Sequence, residues 1–284
     1  MRVVRRAVGD VEVIALLDGE ADVEPITEAF PETPRDELLR EPGVLGAGDR
    51  WHLFVRAWVL LHPEGVALVD TGVGGPGSPA LEWFPHTGGL PDALREAGTS
   101  PDQIDTVILT HVHSDHVGGT VTGDPPVPAF PRARYLIQRA DVDFARELAD
   151  TAEDDRALWE RLLQPLLAAG VVQELDGDHR LAGTIELHHA PGHTPGHQMV
   201  RVASRSDRLV ITGDLVNHAS QFAHPDLPSN SDAVPVLAAR SRRELLAGLL
   251  SHPGTTIAPT HLDAPFGRIA FEPRGLARWR PDPA

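Results

Sequence analysis

The sequence predicts an α+β protein folded as one unit, a sandwich of two sheets flanked by helices. Two observations carry that expectation. Strand-rich and helix-rich stretches succeed one another in the order strands, helices, strands, helix, so each sheet has helices to cover a face. No linker-like tract and no internal repeat divides the 284 residues, a length that buries a sizeable core without staples. A single domain over residues 1–284 is therefore expected.

The elements follow from local chemistry. A Gly9-Asp10 turn joins residues 2–8 to the apolar run 11–17 as a hairpin. The β-rich runs 54–61 and 66–69 flank His62-Pro63-Glu64-Gly65 as another. Residues 18–50 between them are acidic and rich in Pro and Gly, with a short helical piece near 34–40. Residues 72–89 hold six Gly and three Pro, a long loop of the kind that in compact domains usually serves function. A helix over 91–97 stops at Gly98, and 106–109 is a short apolar strand with Thr110 and His111 at its end. After a Pro-rich loop over 120–133 come a strand at 135–137 and helices at 139–149 and 153–169. The second helix places Leu158, Leu162, Leu163, Leu166 and Leu167 on one face, a core stripe. Strands at 171–175, 183–188, 198–204 and 208–212, a helix over 234–250, a strand at 256–258 and a hairpin within 268–280 complete the chain.

Composition narrows the function classes. Net charge is −16, with 25 basic against 41 acidic residues, and every basic residue is Arg. That balance opposes binding to nucleic acid or to anionic lipid. Cysteine is absent, which excludes disulfides, thiolate nucleophiles and thiolate-bound metals. The N-terminus, Met1-Arg2-Val3-Val4-Arg5-Arg6, carries charge where a signal peptide is apolar, and no stretch reaches the roughly 20 apolar residues of a membrane span. The expectation is a cytoplasmic protein acting on a small molecule, with a homodimer left open.

Histidine is the unusual residue, with 15 copies. His111-Val112-His113-Ser114-Asp115-His116 follows a strand directly. His111 and His113 are two apart, so extended chain projects both to one side. Imidazole and carboxylate are the ligands that divalent metals such as zinc accept when thiolate is absent. Further along stand Pro191-Gly192-His193-Thr194-Pro195-Gly196-His197, then Thr212-Gly213-Asp214 after an apolar run, then Pro259-Thr260-His261; upstream is Leu68-Val69-Asp70-Thr71-Gly72.

These motifs, in this order, resemble those of the metallo-β-lactamase-fold hydrolases, from about residue 52 to 268. The resemblance implies a four-layer αβ/βα sandwich and two divalent ions, zinc above other metals. It assigns His111, His113 and His193 to one ion and Asp115, His116 and His261 to the other, with Asp214 bridging. A hydroxide bridging the ions is the implied nucleophile, and Asp115 and Asp214 are the implied catalytic carboxylates. Asp70, Thr110 and Thr194 are expected to orient ligands, or in the case of Asp70 merely to cap a turn. His197 and His218 lie near the motifs as weaker substrate contacts. His52, His62, His179, His188, His189, His224 and His252 read as surface or structural residues.

The fold hosts many hydrolases, so the branch must come from the site. Absence of Cys excludes the β-lactamases with a zinc-bound Cys, and the intact Gly213-Asp214 pair excludes the class that lacks the bridging carboxylate. The stretch 213–222, with His224-Pro225-Asp226 and Pro265-Phe266-Gly267-Arg268, resembles the branch of methyl parathion hydrolase and the quorum-quenching lactonases. Asn217 stands where acyl-homoserine lactonases commonly carry Tyr. The implied activity is hydrolysis of a small neutral ester or lactone, or a phosphotriester. Alternatives are a thioesterase of the glyoxalase-II kind and an iron-dependent oxidoreductase on the same scaffold. Trp83, Phe84, Phe130 and Phe222, on or near the presumed site loops, are expected with Asn217 to form the substrate pocket, which then favours apolar acyl or aryl groups.

Overall fold

The computed structural model describes residues 2–40, 43–272 and 276–283. Its first sheet holds seven strands in chain order: β1 (Val3–Val8), β2 (Val11–Pro25), β3 (Arg50–His62), β4 (Gly65–Val69), β5 (Thr106–Ile108), β6 (Arg134–Gln138) and β7 (Val172–Leu175). The second holds β8 (His179–Ala182), β9 (Ile185–His189), β10 (Gln198–Ser204), β11 (Asp207–Ile211), β12 (Thr256–Ala258), β13 (Gly267–Phe271) and β14 (Ala277–Pro281), again in chain order. Pairing is antiparallel from β1 to β4 and from β8 to β11. It turns parallel from β4 through β7 and between β11 and β12.

Both faces of each sheet are buried, which explains why the central strands are almost continuously apolar. In β2, Val13 and Ala15 point into the core between the sheets with Trp58, Leu187, Val200 and Ile211. Ile14 and Leu16 point the other way, against Leu94 of helix α1 (Leu90–Glu96), Val142 of a helix further on and Leu162. The outer face of the second sheet packs Met199, Val210 and Ile257 on Leu245 and Leu249 of the last long helix. Helix, sheet, sheet, helix is the four-layer order the resemblance implied.

Most elements lie where periodicity placed them, and the departures have physical reasons. β2 continues to Pro25, where an acidic loop was expected. Ala21 and Val23 are buried while Glu20 and Asp22 are exposed, so the acids there are the solvent face of a strand. The expected helix over 153–169 is broken by a π turn, Trp159–Leu163, just before Pro165. Proline has no N–H to continue the ladder, and a π turn is a usual way to absorb the fault. The strand expected at 183–188 is β9, and β8 before it, over His179–Ala182, was not expected. The turn of the closing hairpin, residues 273–275, lies outside the described residues.

Topology sets the site. Strands β4, β5, β9, β11 and β12 all end at one edge of the sandwich, since the parallel pairs share a direction and β9 runs parallel to β11 across β10. Their C-terminal ends carry Asp70, the 110–116 segment, the 190–197 loop, Asp214 and His261.

Candidate metal centre

The helix α2 (Ser114–Val117) starts directly after His113, whose backbone is extended, so the chain reverses within the motif and folds Asp115 and His116 back beside His111. Nε2 of His111 and Nε2 of His193 lie 3.0 and 2.9 Å from Nδ1 of His113. Asp214 Oδ2 stands 3.5 Å from His193 Nε2 and 3.0 Å from His261 Nε2, while its Oδ1 stands 3.0 Å from His116 Nε2. Asp115 lies 3.5 Å from His116 and 3.6 Å from His261. Two groups able to hold an ion result, His111–His113–His193–Asp214 and Asp115–His116–His261. Asp214 faces both.

The remaining hydrogen bonds fix each tautomer. His116 Nδ1 donates to Asp70 Oδ2 at 2.9 Å, and Asp70 also accepts from the N–H and hydroxyl of Thr110 at 2.8 Å each. With its proton given to Asp70, the Thr110 oxygen accepts from His111 Nδ1 at 3.0 Å. His193 Nδ1 faces Asp232 Oδ1 at 3.3 Å, and His261 Nδ1 donates to the Phe54 carbonyl at 2.7 Å. In four imidazoles Nδ1 is thus engaged elsewhere and Nε2 is aimed at the site; His113 offers Nδ1.

These residues fit a pair of cations. His116 Nε2 and Asp214 Oδ1 are buried 3.0 Å apart, and neither makes a well-aligned hydrogen bond, a costly state for polar atoms unless something else satisfies them. Burial, helped by the neighbouring imidazoles, holds His111 and His113 well below the usual imidazole range, as neutral ligands require. At His116 burial pulls the same way, but Asp214, Asp115 and Asp70 outweigh it and hold a proton well above that range. Carboxylates concentrated there call for positive charge, and a proton serves only until a metal displaces it.

Sequence reasoning placed Thr194 against a ligand; its hydroxyl instead donates to Asp141, at 2.9 Å. Asp141 sits in the first turn of helix α3 (Arg139–Ala149) and also accepts from the N–H groups of Val112 and Gly196. It clasps the two ligand loops together, and burial pushes its carboxyl up to about 6. Nothing in the sequence separated it from an ordinary helix-start acid. His197 is buried away from the cavity: its Nδ1 donates to the Ala190 carbonyl and its Nε2 accepts from the Asp214 N–H at 3.1 Å. Burial pushes it down to about 3, consistent with that neutral acceptor role. Gly213 has φ 51°, and a Cβ there would lie 2.7 Å from that nitrogen, so only glycine fits. His218 is buried beside Ser220 and Phe30, without facing the ligands.

His113, Asp115, Asp214 and His261 floor a cavity of about 640 Å³. Trp83 and Asn217 line it; Trp83 is 44% exposed and donates to Ser114 Oγ at 3.0 Å. Phe84, Phe130 and Phe222 do not. Phe84 packs in the cluster around Phe30, Phe130 belongs to the helix-covered core and borders a separate cavity, and Phe222 stacks on Trp279. Large aromatics gain more from core burial than from facing water, so only the one at the loop crest stays open. The other apolar walls are Val23, Trp51, Leu53, Pro79 and Leu158, from the extended β2, β3, the 72–89 loop and the interrupted helix. Asp18 staples the 72–89 loop beneath Trp83 by accepting from the N–H groups of Val73 and Leu90, each at 2.7 Å.

Known proteins match this picture. The model of the metallo-beta-lactamase superfamily matches residues 50–261. A curated N-acyl homoserine lactonase of a Bacillus species is 28% identical over 184 residues, 60% of this chain and 67% of that protein. Among solved structures, the hydrolase AbOPH of the beta-lactamase superfamily superposes with TM-score 0.83 at 24% identity, covering 99% of this chain and 98% of that one. AidC, a dizinc quorum-quenching lactonase, gives 0.81 at 24% identity over 99% and 98%. At these identities the two structures speak for the fold. The family match spans every ligand position from His111 to His261, and the chain belongs to the metallo-beta-lactamase superfamily.

Proposed function

We propose that this metal-dependent hydrolase opens a small neutral lactone, with carboxylic esters as slower substrates, using two divalent ions, zinc by preference. The observation that carries the reading is Asp214, shared between two ligand groups on the floor of a half-apolar cavity. The lactonase relatives support the substrate class.

Bound there, two divalent cations supply Lewis acidity toward a carbonyl oxygen and make water a competent nucleophile at neutral pH. His111, His113 and His193 would hold one, Asp115, His116 and His261 the other, with Asp214 on both. Asp115 borders both the ligand group and the cavity, where its carboxylate would take the proton released by the attacking water and hand it to the departing alkoxide oxygen. Asn217, held by its backbone N–H to Gln221 Oε1, forms a polar part of the cavity wall. Trp83 and Trp51 grip the apolar portion. Around the mouth stand Glu24, Glu82 and Asp155 against Arg50, a balance that disfavours anionic substrates.

A panel of γ- and δ-lactones, aryl esters, thioesters and phosphotriesters tests the reading. The highest kcat/KM is expected for lactones with a neutral apolar substituent; a preference for thioesters or for anionic substrates would overturn it. Within that panel, Trp83→Ala should raise KM roughly tenfold for a long-chain lactone, the cost of about 1.4 kcal/mol of lost binding, while kcat and the kinetics of an unsubstituted lactone stay near wild type. Equal effects on both substrates would remove Trp83 from the pocket.

A further inference from the structure

Two arginines are buried near the ligands, Arg56 at 4% exposure and Arg242 at 1%. Burying a guanidinium is costly unless its donors are matched, so what each one holds is informative.

Arg56 interrupts the apolar run of β3 and makes no hydrogen bond to a carboxylate among the described residues. It donates instead to the backbone carbonyls of Thr260, Leu262 and Asp263, on either side of His261. Two residues earlier on the same strand, the Phe54 carbonyl takes the His261 Nδ1 proton. One strand therefore fixes both the ring and the backbone of this ligand. The planar guanidinium presents donors from two nitrogens to three carbonyls of one segment in a fixed geometry.

Arg242, on helix α4 (Pro235–Ser251), works on the other group. Its Nη2 donates to Asp232 Oδ2 at 2.8 Å, and Asp232 Oδ1 faces His193 Nδ1. Its Nε donates to the Pro225 carbonyl, which pins the start of the segment leading to Asp232.

We propose that Arg56 and Arg242 are positioning residues, each tuning one metal site: Arg56 the site of His261, Arg242 through Asp232 the site of His193. The inference rests on the two-ion reading above. Neither arginine is a ligand, and they come from different sheets or layers, so their effects are separable even though Asp214 is common to both sites.

The test is a double comparison. Wild type, Arg56→Met and Arg242→Met are crystallised with limiting zinc, and the occupancy of each site is read from anomalous scattering at the zinc edge; chelator competition in solution gives the affinities. Outer partners of ligands are worth roughly 10- to 100-fold in metal affinity. Arg56→Met should lose that factor at the Asp115–His116–His261 site and far less at the other; Arg242→Met should show the reverse. Should either Met variant not fold, the Lys variants carry the comparison, since lysine keeps the charge but not the fork, and a smaller shift in the same direction is expected. Loss at the same site in both variants, equal loss at both sites, or no loss overturns the proposal. A wild type that takes no second ion fails the two-ion reading itself, a separable result.

Discussion

Asp214→Ala is expected to abolish hydrolysis and to strip the protein of bound metal in one step. Asp214 Oδ1 and Oδ2 each stand 3.0 Å from an imidazole of the Asp115–His116–His261 group, and Oδ2 is 3.5 Å from His193 of the other. Without it, each site loses a ligand, and two like-charged ions lose the carboxylate that offsets their repulsion. Activity should fall by roughly a thousandfold or more, the scale on which lost electrostatic stabilisation of a transition state is felt. Metal content after gel filtration should fall with it. The fold should persist, because what His197 accepts is the backbone N–H of residue 214, which alanine retains. Asp214→Asn keeps the shape but not the charge and should fall between the two. A variant that keeps two ions and wild-type turnover would remove Asp214 from its bridging place.

The ligand set was legible because metal chemistry restricts residue type and strand ends restrict spacing. His111, His113, Asp115 and His116 fall within six residues, Asp214 and His261 each follow a short apolar strand, and His193 stands in a Pro-Gly-His loop. The sheets were legible for the same reason: strands buried on both faces leave unbroken apolar stretches, such as 57–60 in β3. The second layer was harder. Asp232 and Asp141 are single acids whose partners lie 39 and 53 residues away, at His193 and Thr194, a separation no local pattern encodes. Arg56 did leave a signal, a lone charge amid the buried residues of β3. The pocket was the least legible part. An aromatic in a loop is equally suited to pin that loop to the core or to face a substrate, and Phe84 and Trp83, adjacent in sequence, do one each. Trp51 and Leu53 fell just before the strand expected from residue 54 and so received no role, whereas β3 begins at Arg50.

Chelation carries the second large effect. Removing the ions should abolish activity and lower Tm, because it leaves buried polar atoms at His116 and Asp214 without well-aligned partners. An ion present at about a thousand times its Kd stabilises the folded state by roughly 4 kcal/mol, so the loss is a substantial part of the stability of a domain. A metal-free protein of unchanged Tm would mean that the site is not built around cations.

The most direct measurement is stepwise reconstitution of that metal-free protein with zinc, following lactone hydrolysis as a function of added equivalents. Two ligand groups joined through Asp214 predict that activity rises until two ions per chain are bound and then levels off. Full activity at one ion per chain, or activity that needs no ion, would contradict the account.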